Sequence, residues 1–293
     1  MTDAFITIGS DGLSASIHPM GAELWSIRDA DGRELMTDAD PRWWTGHAPL
    51  LFPFVGRSRG DVYRFEGRDY PMAQHGFARR KGFALVERSG DAATFRLEAD
   101  EETRAVYPFD FRLDMHFAAE GRTLRMTATV ANRGVDDMPF SFGYHPAFAW
   151  PLPYGGTAEE HRVLFEKAEA APIRKVGAEP GLIALEPVAS PVEGDRLTPT
   201  HAMYEGDALI WDRLESRSLF WGVPGRTGLK IDFPDTPWLG LWQKPGAHYL
   251  CVEPWAGMAD PVGFEGDVWA KQGIMRLAPG EERRFRMDVG ITG

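Results

Sequence analysis

The feature that most constrains the fold is a strict two-residue alternation: Phe109, Phe111, Leu113, Met115 and Phe117 stand at every second position with mostly polar residues between them. Successive side chains leave a strand on opposite faces, so this spacing predicts a strand with one face in a core and the other in water. After the turn-like Ala119-Glu120-Gly121-Arg122 the alternation resumes at Leu124, Met126, Ala128 and Val130, which predicts an antiparallel hairpin. Further hairpins are expected from Phe5 to Ile8 with Leu13 to Ile17 around Gly9 to Gly12, and from Val62 to Phe65 with Arg68 to Tyr70 around Glu66-Gly67. Ala84 to Arg88 and Thr94 to Glu98 flank a loop containing Ser89-Gly90-Asp91 in the same way. Apolar spacing near 3.6 is scarce, and 32 glycines and 22 prolines punctuate the chain. The expected fold is all-β: a large antiparallel β-sandwich of many short strands with few short helices.

At 293 residues, 43% of them hydrophobic, one large core is within reach, and a single domain spanning 1–293 is expected, although two domains also fit the usual size range. Between Pro151 and Pro199 seven prolines break up any regular pattern. Val163 to Phe165 and Leu182 to Leu185 read as short strands there, which favours an excursion within one domain over a flexible linker. The net charge of -11 repels polyphosphate and anionic membrane surfaces, so nucleic acid and membrane partners are not expected. A lone cysteine, Cys251, rules out an internal disulfide framework and a structural zinc site built on cysteines, which fits a reducing compartment, by default the cytoplasm. Met1 to Gly9 lacks a basic segment followed by an apolar run, and no window approaches the roughly 18 consecutive apolar residues of a membrane span, so export and insertion are not expected.

Four segments carry chemistry. In Phe142-Gly143-Tyr144-His145-Pro146-Ala147-Phe148 a histidine directly precedes a proline, which disfavours helix for the residue before it and puts His145 on extended backbone with its imidazole off one face of a sheet. Leu250-Cys251-Val252-Glu253-Pro254-Trp255 repeats the arrangement with an acid, read as lying at the end of an apolar strand. An acid and an imidazole on rigid strands beside aromatic faces suit general acid and base work on a sugar ring. Taken singly, His145 as a structural histidine and Glu253 as a salt-bridge partner are equally good readings. Gln74 to Phe83 places His75 and Arg79 four residues apart with small Gly76 and Ala78 between them, which lets a ligand approach the backbone; a solvated basic loop is the plain alternative. Gly56 to Gly60 matches G-x-S-x-G, but a nucleophile elbow needs a helix after Ser58, where a hairpin is expected. Arg57 follows a long apolar run and could point into a cleft, and Arg59 reads as a surface residue.

Together the strings FPFVGR, QHGFAR, FGYHPAF and LCVEPW, in this order, resemble the aldose 1-epimerase (galactose mutarotase-like) family over essentially the whole chain, and Gly263 to Gly290 looks like that family's closing strands. His75-Gly76-Phe77-Ala78-Arg79 is closer to the bacterial hexose-6-phosphate mutarotase-like and uncharacterised members than to classical galactose mutarotases. The resemblance implies an isomerase that interconverts sugar anomers without metal or organic cofactor. It gives His145 the role of acid to the ring oxygen and Glu253 that of base to the anomeric hydroxyl. His75, Arg79 and Arg57 would bind sugar oxygens, Asp207 would be the sugar-binding aspartate, and Trp255 would lie under the sugar's C–H face. Trp43, Trp44, Phe142 and Phe148 are more at home in a core.

The expected partner is a small sugar or sugar phosphate, with the protein a monomer or homodimer. Arg57, Arg59, Arg79, Arg80 and Lys81 stand out against the acidic background and are where a substrate phosphate would bind. A non-catalytic carbohydrate-binding sandwich shares the aromatics and acids without needing the acid–base pair. A facial triad of two histidines and a carboxylate would suit a metal, but no familiar ligand spacing accompanies it. Glycoside hydrolysis needs a second acid, and none stands out beside Glu253.

Overall fold

The computed structural model describes residues 5–293. The alternating segment folds as expected from Phe111 onwards, while Phe109 is buried in a bend just before the strand. Phe111–Glu120 pairs with Thr123–Asn132, and the odd-numbered residues of the first strand and even-numbered ones of the second, among them Leu113, Met115, Phe117 and Met126, are buried. These two strands form the middle of a nine-stranded antiparallel sheet in the order Arg196–Leu197, Arg162–Phe165, Ser218–Gly222, Leu229–Asp232, Glu282–Ile291, Thr123–Asn132, Phe111–Glu120, Ala92–Glu98, Ala84–Arg88. The other expected hairpins are present as Ile6–Gly9 with Leu13–His18, Val62–Phe65 with Arg68–Pro71, and Ala84–Arg88 with Ala92–Glu98. One short α-helix, Glu101–Val106, starts at a capping box in which Thr103 N–H donates to Asp100 Oδ1 at 2.6 Å and Asp100 N–H donates to Thr103 Oγ1 at 2.8 Å. No helix among the described residues is long and apolar enough to cross a membrane.

The second layer is a five-stranded sheet built around Tyr249–Ala256, all eight residues of which are buried. On one edge that strand pairs with two short strands in tandem, Phe142–Gly143 and Ala147–Ala149; on the other it pairs with Trp238–Trp242, which pairs in turn with Leu209–Trp211. Period two explains its continuous burial. Leu250, Val252 and Ala256 pack into the core shared with the nine-stranded sheet, while Tyr249, Cys251 and Trp255 pack into two smaller clusters on the opposite face. Glu253 belongs to that second face.

Two expectations need correction. Glu253 is not at a strand end, because the strand runs on through Pro254 to Ala256. Proline is tolerated there since its missing N–H falls opposite the break between Gly143 and Ala147, where the ladder is already interrupted. Leu182 to Leu185 is not a strand either: Ile183 makes isolated bridges to Val176 and Pro261 inside an irregular excursion, and its neighbours find no continuous partner.

Candidate active site

His145 occupies the break between the two tandem strands. Its neighbours are pinned on both sides: the Tyr144 hydroxyl accepts from Ala128 N–H at 3.0 Å and donates to the Phe285 carbonyl at 2.8 Å, and Val252 N–H donates to the Pro146 carbonyl at 3.1 Å. The imidazole therefore projects from a fixed backbone onto the face that carries Glu253, and its Nε2 lies 3.2 Å from Glu253 Oε2. Both side chains are buried, at 7% and 2% exposure. Trp44 stacks on the imidazole with ring centroids 5.0 Å apart, and Trp242 meets it edge-on at 5.8 Å.

This pair forms the floor of a cavity of about 320 Å³, within the range for small-molecule sites. Of the residues singled out from sequence, His145, Glu253, His75, Arg79, Asp207 and Trp255 all line it. Trp255 lies flat because both flanking strands offer glycine beside it. A Cβ on Gly143 would stand 2.6 Å from the indole, and one on Gly240 2.7 Å. The indole Nε1 is buried without a hydrogen-bond partner.

His75 is placed by reciprocal bonds to the FPFVGR segment: its N–H donates to the Gly56 carbonyl at 2.8 Å, and Gly56 N–H donates to its Nδ1 at 3.1 Å. Accepting at Nδ1 leaves the neutral ring its proton on Nε2. Its backbone has φ +66°, a sparsely populated conformation for a residue with a Cβ. Asp207, at φ +73°, is the second strained residue in the wall. Such conformations concentrate at ligand sites, where the surrounding structure enforces them.

Burial drives the electrostatics. It pushes His75 down to about 3, with Arg79 and Arg80 adding to the effect, so the ring is held as a neutral hydrogen-bonding group. His145 is held well below the ordinary imidazole range, first by burial and then by His75 and Arg79. Glu253 is raised well above the ordinary carboxylate range by burial and by the charge of Asp207, against the pull of Arg79. Both shifts disfavour a charged form in a buried site.

Arg57, expected in the cleft, stands just outside it. Its guanidinium grips Asp61 through two bonds of 2.7 and 2.6 Å and donates to the Pro180 carbonyl at 3.0 Å, which turns it towards the neighbouring groove. Three of the five clustered cations are engaged in this way: Arg57 by Asp61, Arg59 by Glu265 and Glu179, and Lys81 by Asp100 and Glu102. Ser58 is buried at the start of a single 3-10 turn, Arg59–Asp61, and no helix follows. The walls also contain Trp242, Lys244, Val176 and Ile183, which carry no local motif, and Trp44, which was assigned to the core. Only the pairing of Trp242 with Cys251 across the sheet brings Trp242 to the site, and no pattern in the sequence reveals that register.

The family model described as aldose 1-epimerase matches residues 4–184. The chain belongs to the aldose 1-epimerase family. Among curated relatives of this family, the chromosomal and plasmid LacX proteins of Lactococcus lactis subsp. lactis are 30% and 31% identical, each alignment covering 98% of this chain and 99% of the relative. Among solved structures, a galactose mutarotase-like protein from Lactobacillus casei aligns with a TM-score of 0.90 at 31% identity, covering 99% of this chain and 100% of that one. A galactose mutarotase related enzyme from Lactobacillus acidophilus also gives 0.90, at 29% identity over 99% and 98%. The all-β aldose 1-epimerase architecture thus spans the described chain, and the cavity lies on its five-stranded sheet.

Proposed function

We propose that the chain interconverts the α and β anomers of an aldohexose or hexose phosphate, with His145 as general acid and Glu253 as general base. The observation that carries this reading is the 3.2 Å contact between Nε2 and Oε2 on the cavity floor. Opening a cyclic hemiacetal requires a proton delivered to the ring oxygen and one removed from the anomeric hydroxyl. These two oxygens share one carbon, so the acid and the base must be neighbours. With the pair's shared proton on the imidazole, the His145 imidazolium gives its Nε2 proton to the ring oxygen, the bond from that oxygen to C1 breaks with its electron pair going to the oxygen, and the Glu253 carboxylate takes the hydroxyl proton as the C1 carbonyl forms, which leaves His145 neutral and Glu253 protonated. Rotation about C1–C2 and closure with the roles reversed give the other anomer.

In the reverse step Glu253 returns its proton to the C1 oxygen and His145 takes one back from the ring-oxygen hydroxyl, so each group serves in turn as acid and base. Each positioned group contributes about 10²- to 10⁴-fold. His75 and Asp207 hold sugar hydroxyls, and Trp255 offers its ring to the apolar face of the sugar.

Arg79, Arg80 and Lys244 line the same cavity, and none of the three has a carboxylate within ion-pair distance among the described residues. That free positive charge favours a phosphorylated substrate over a free hexose. Anomer exchange followed by NMR on glucose, galactose and glucose 6-phosphate tests both parts. Faster turnover of the free sugars rejects the phosphate. His145→Ala and Glu253→Ala are expected to lose exchange while retaining sugar binding; unchanged exchange in either variant rejects the mechanism. A wild-type protein that binds sugars without accelerating exchange is a binding protein.

A further inference from the structure

We propose that the cavity floor also binds a borderline-soft divalent cation, best matched by Zn²⁺, through Cys251, His145 and Glu253, and that occupation inhibits the protein. Cys251 and Glu253 are two residues apart on Tyr249–Ala256, so their side chains leave the same face. His145 enters from the adjoining edge, where Ala147 pairs with Cys251. One ligand atom from each of the three residues lies within 4.8 Å of the others.

All three residues are more than nine-tenths buried, at 0%, 7% and 2% exposure. His145 Nδ1 is buried without a hydrogen-bond partner, so only Nε2 of the imidazole is committed, to Glu253. A thiolate, an imidazole and a carboxylate form a donor set suited to zinc, with a fourth position left for water on the cavity side.

Zinc bonds of about 2.0–2.3 Å in a tetrahedron set neighbouring ligand atoms roughly 3.3–3.7 Å apart. The 3.2 Å contact between His145 and Glu253 is already close to that spacing. The widest separation in the group, up to 4.8 Å, must close by about one ångström, within reach of a side-chain rotation. Binding releases the thiol proton to solvent and takes both nitrogen and carboxylate out of the acid–base pair. A thiol that served only as small apolar filler would show none of this.

The inhibition arm rests on the acid–base reading above; the binding arm does not. Tag-free protein, stripped with chelator, is titrated with Zn²⁺ by calorimetry and with Co²⁺ by absorption, where a thiolate ligand gives an intense near-ultraviolet charge-transfer band. The expected result is one site per chain with that band, and at least tenfold slower anomer exchange in stoichiometric Zn²⁺, reversed by chelator. Cys251→Ala and Cys251→Ser should keep metal-free exchange, lose the band and need at least tenfold more Zn²⁺ for inhibition.

A Co²⁺ spectrum without the band in the wild type overturns the site, and so does an unchanged Zn²⁺ response in folded Cys251→Ala. If a variant does not fold, the wild-type Co²⁺ spectrum decides alone. A protein that shows the band but no exchange keeps the site and loses the proposed function. One that exchanges anomers without the band does the opposite.

Discussion

Replacing Lys271 with methionine tests whether the cavity wall depends on a buried ion pair behind it. Lys271 Nζ donates to Asp260 Oδ1, and the two side chains are only 3% and 5% exposed. Burial lowers the lysine's pKa, and Asp260 works against that shift. Asp260 is a junction: its second carboxylate oxygen accepts from Arg59 N–H at 2.9 Å, its own N–H donates to the Arg57 carbonyl at 2.9 Å, and its carbonyl accepts from Ile183 N–H at 2.9 Å. The segment from Gly56 to Arg59 therefore hangs on it, and Gly56 in turn holds His75. Lys271→Met leaves the carboxylate buried with one main-chain donor, and removing one partner of such a pair costs about 3–5 kcal/mol. At about 1.4 kcal/mol per decade, that is two to three and a half orders of magnitude in the folding constant. Asp260→Leu combined with Lys271→Met removes the stranded charge and should restore much of the loss, since apolar replacements of buried pairs are often near neutral. Urea unfolding of the four proteins in the cycle measures this. A cost below about 1 kcal/mol for Lys271→Met, or additive single changes, refutes the reasoning. In the folded variant the sugar KM should rise with kcat near wild type, because the wall loosens while the acid–base strands stay in place.

Other outcomes follow from the same physics. Because burial disfavours the His145 imidazolium, the second proton on the His145–Glu253 pair binds only at low pH, so the acid limb of kcat/KM should lie below 6.5; a limb at or above that value contradicts the site's electrostatics. Gly240→Ala puts a methyl group 2.7 Å from the Trp255 ring and should raise KM by displacing the indole, with little change in a thermal melt if the ring moves into the cavity. His47 is 5% exposed, and burial holds its pKa at about 4, so the unfolded chain takes up its proton first as pH falls from 6.5. Up to about 3 kcal/mol of stability should be lost between pH 6.5 and 4, and less in His47→Gln; equal acid sensitivity of the two proteins in urea melts argues against it.

Legibility from sequence followed the range of the interaction. The hairpin of Phe111–Glu120 with Thr123–Asn132 is readable because one face meets water and the other the core, so the pattern states the fold directly. Tyr249–Ala256 is buried on both faces, which erases the alternation and concealed both its true end and the company Glu253 keeps. Arg57 was misplaced because its partner, Asp61, is set by a local turn that the apolar run before it does not encode. Trp44 and Trp43 are adjacent and chemically identical, yet only Trp44 reaches the cavity, a choice made by backbone direction in an irregular segment.

Sequence alone determined the class of fold and the chemical repertoire: alternation and turn residues act over a few positions, and the four motifs carry their side chains wherever the chain goes. Tertiary structure alone decided that the imidazole and the carboxylate touch, that Trp242 and Lys244 join them, and that three of five clustered cations are spent on neighbouring acids. The reason is that strand register and ion-pair choice depend on the packing of distant segments, which is settled only when two sheets close over a common core.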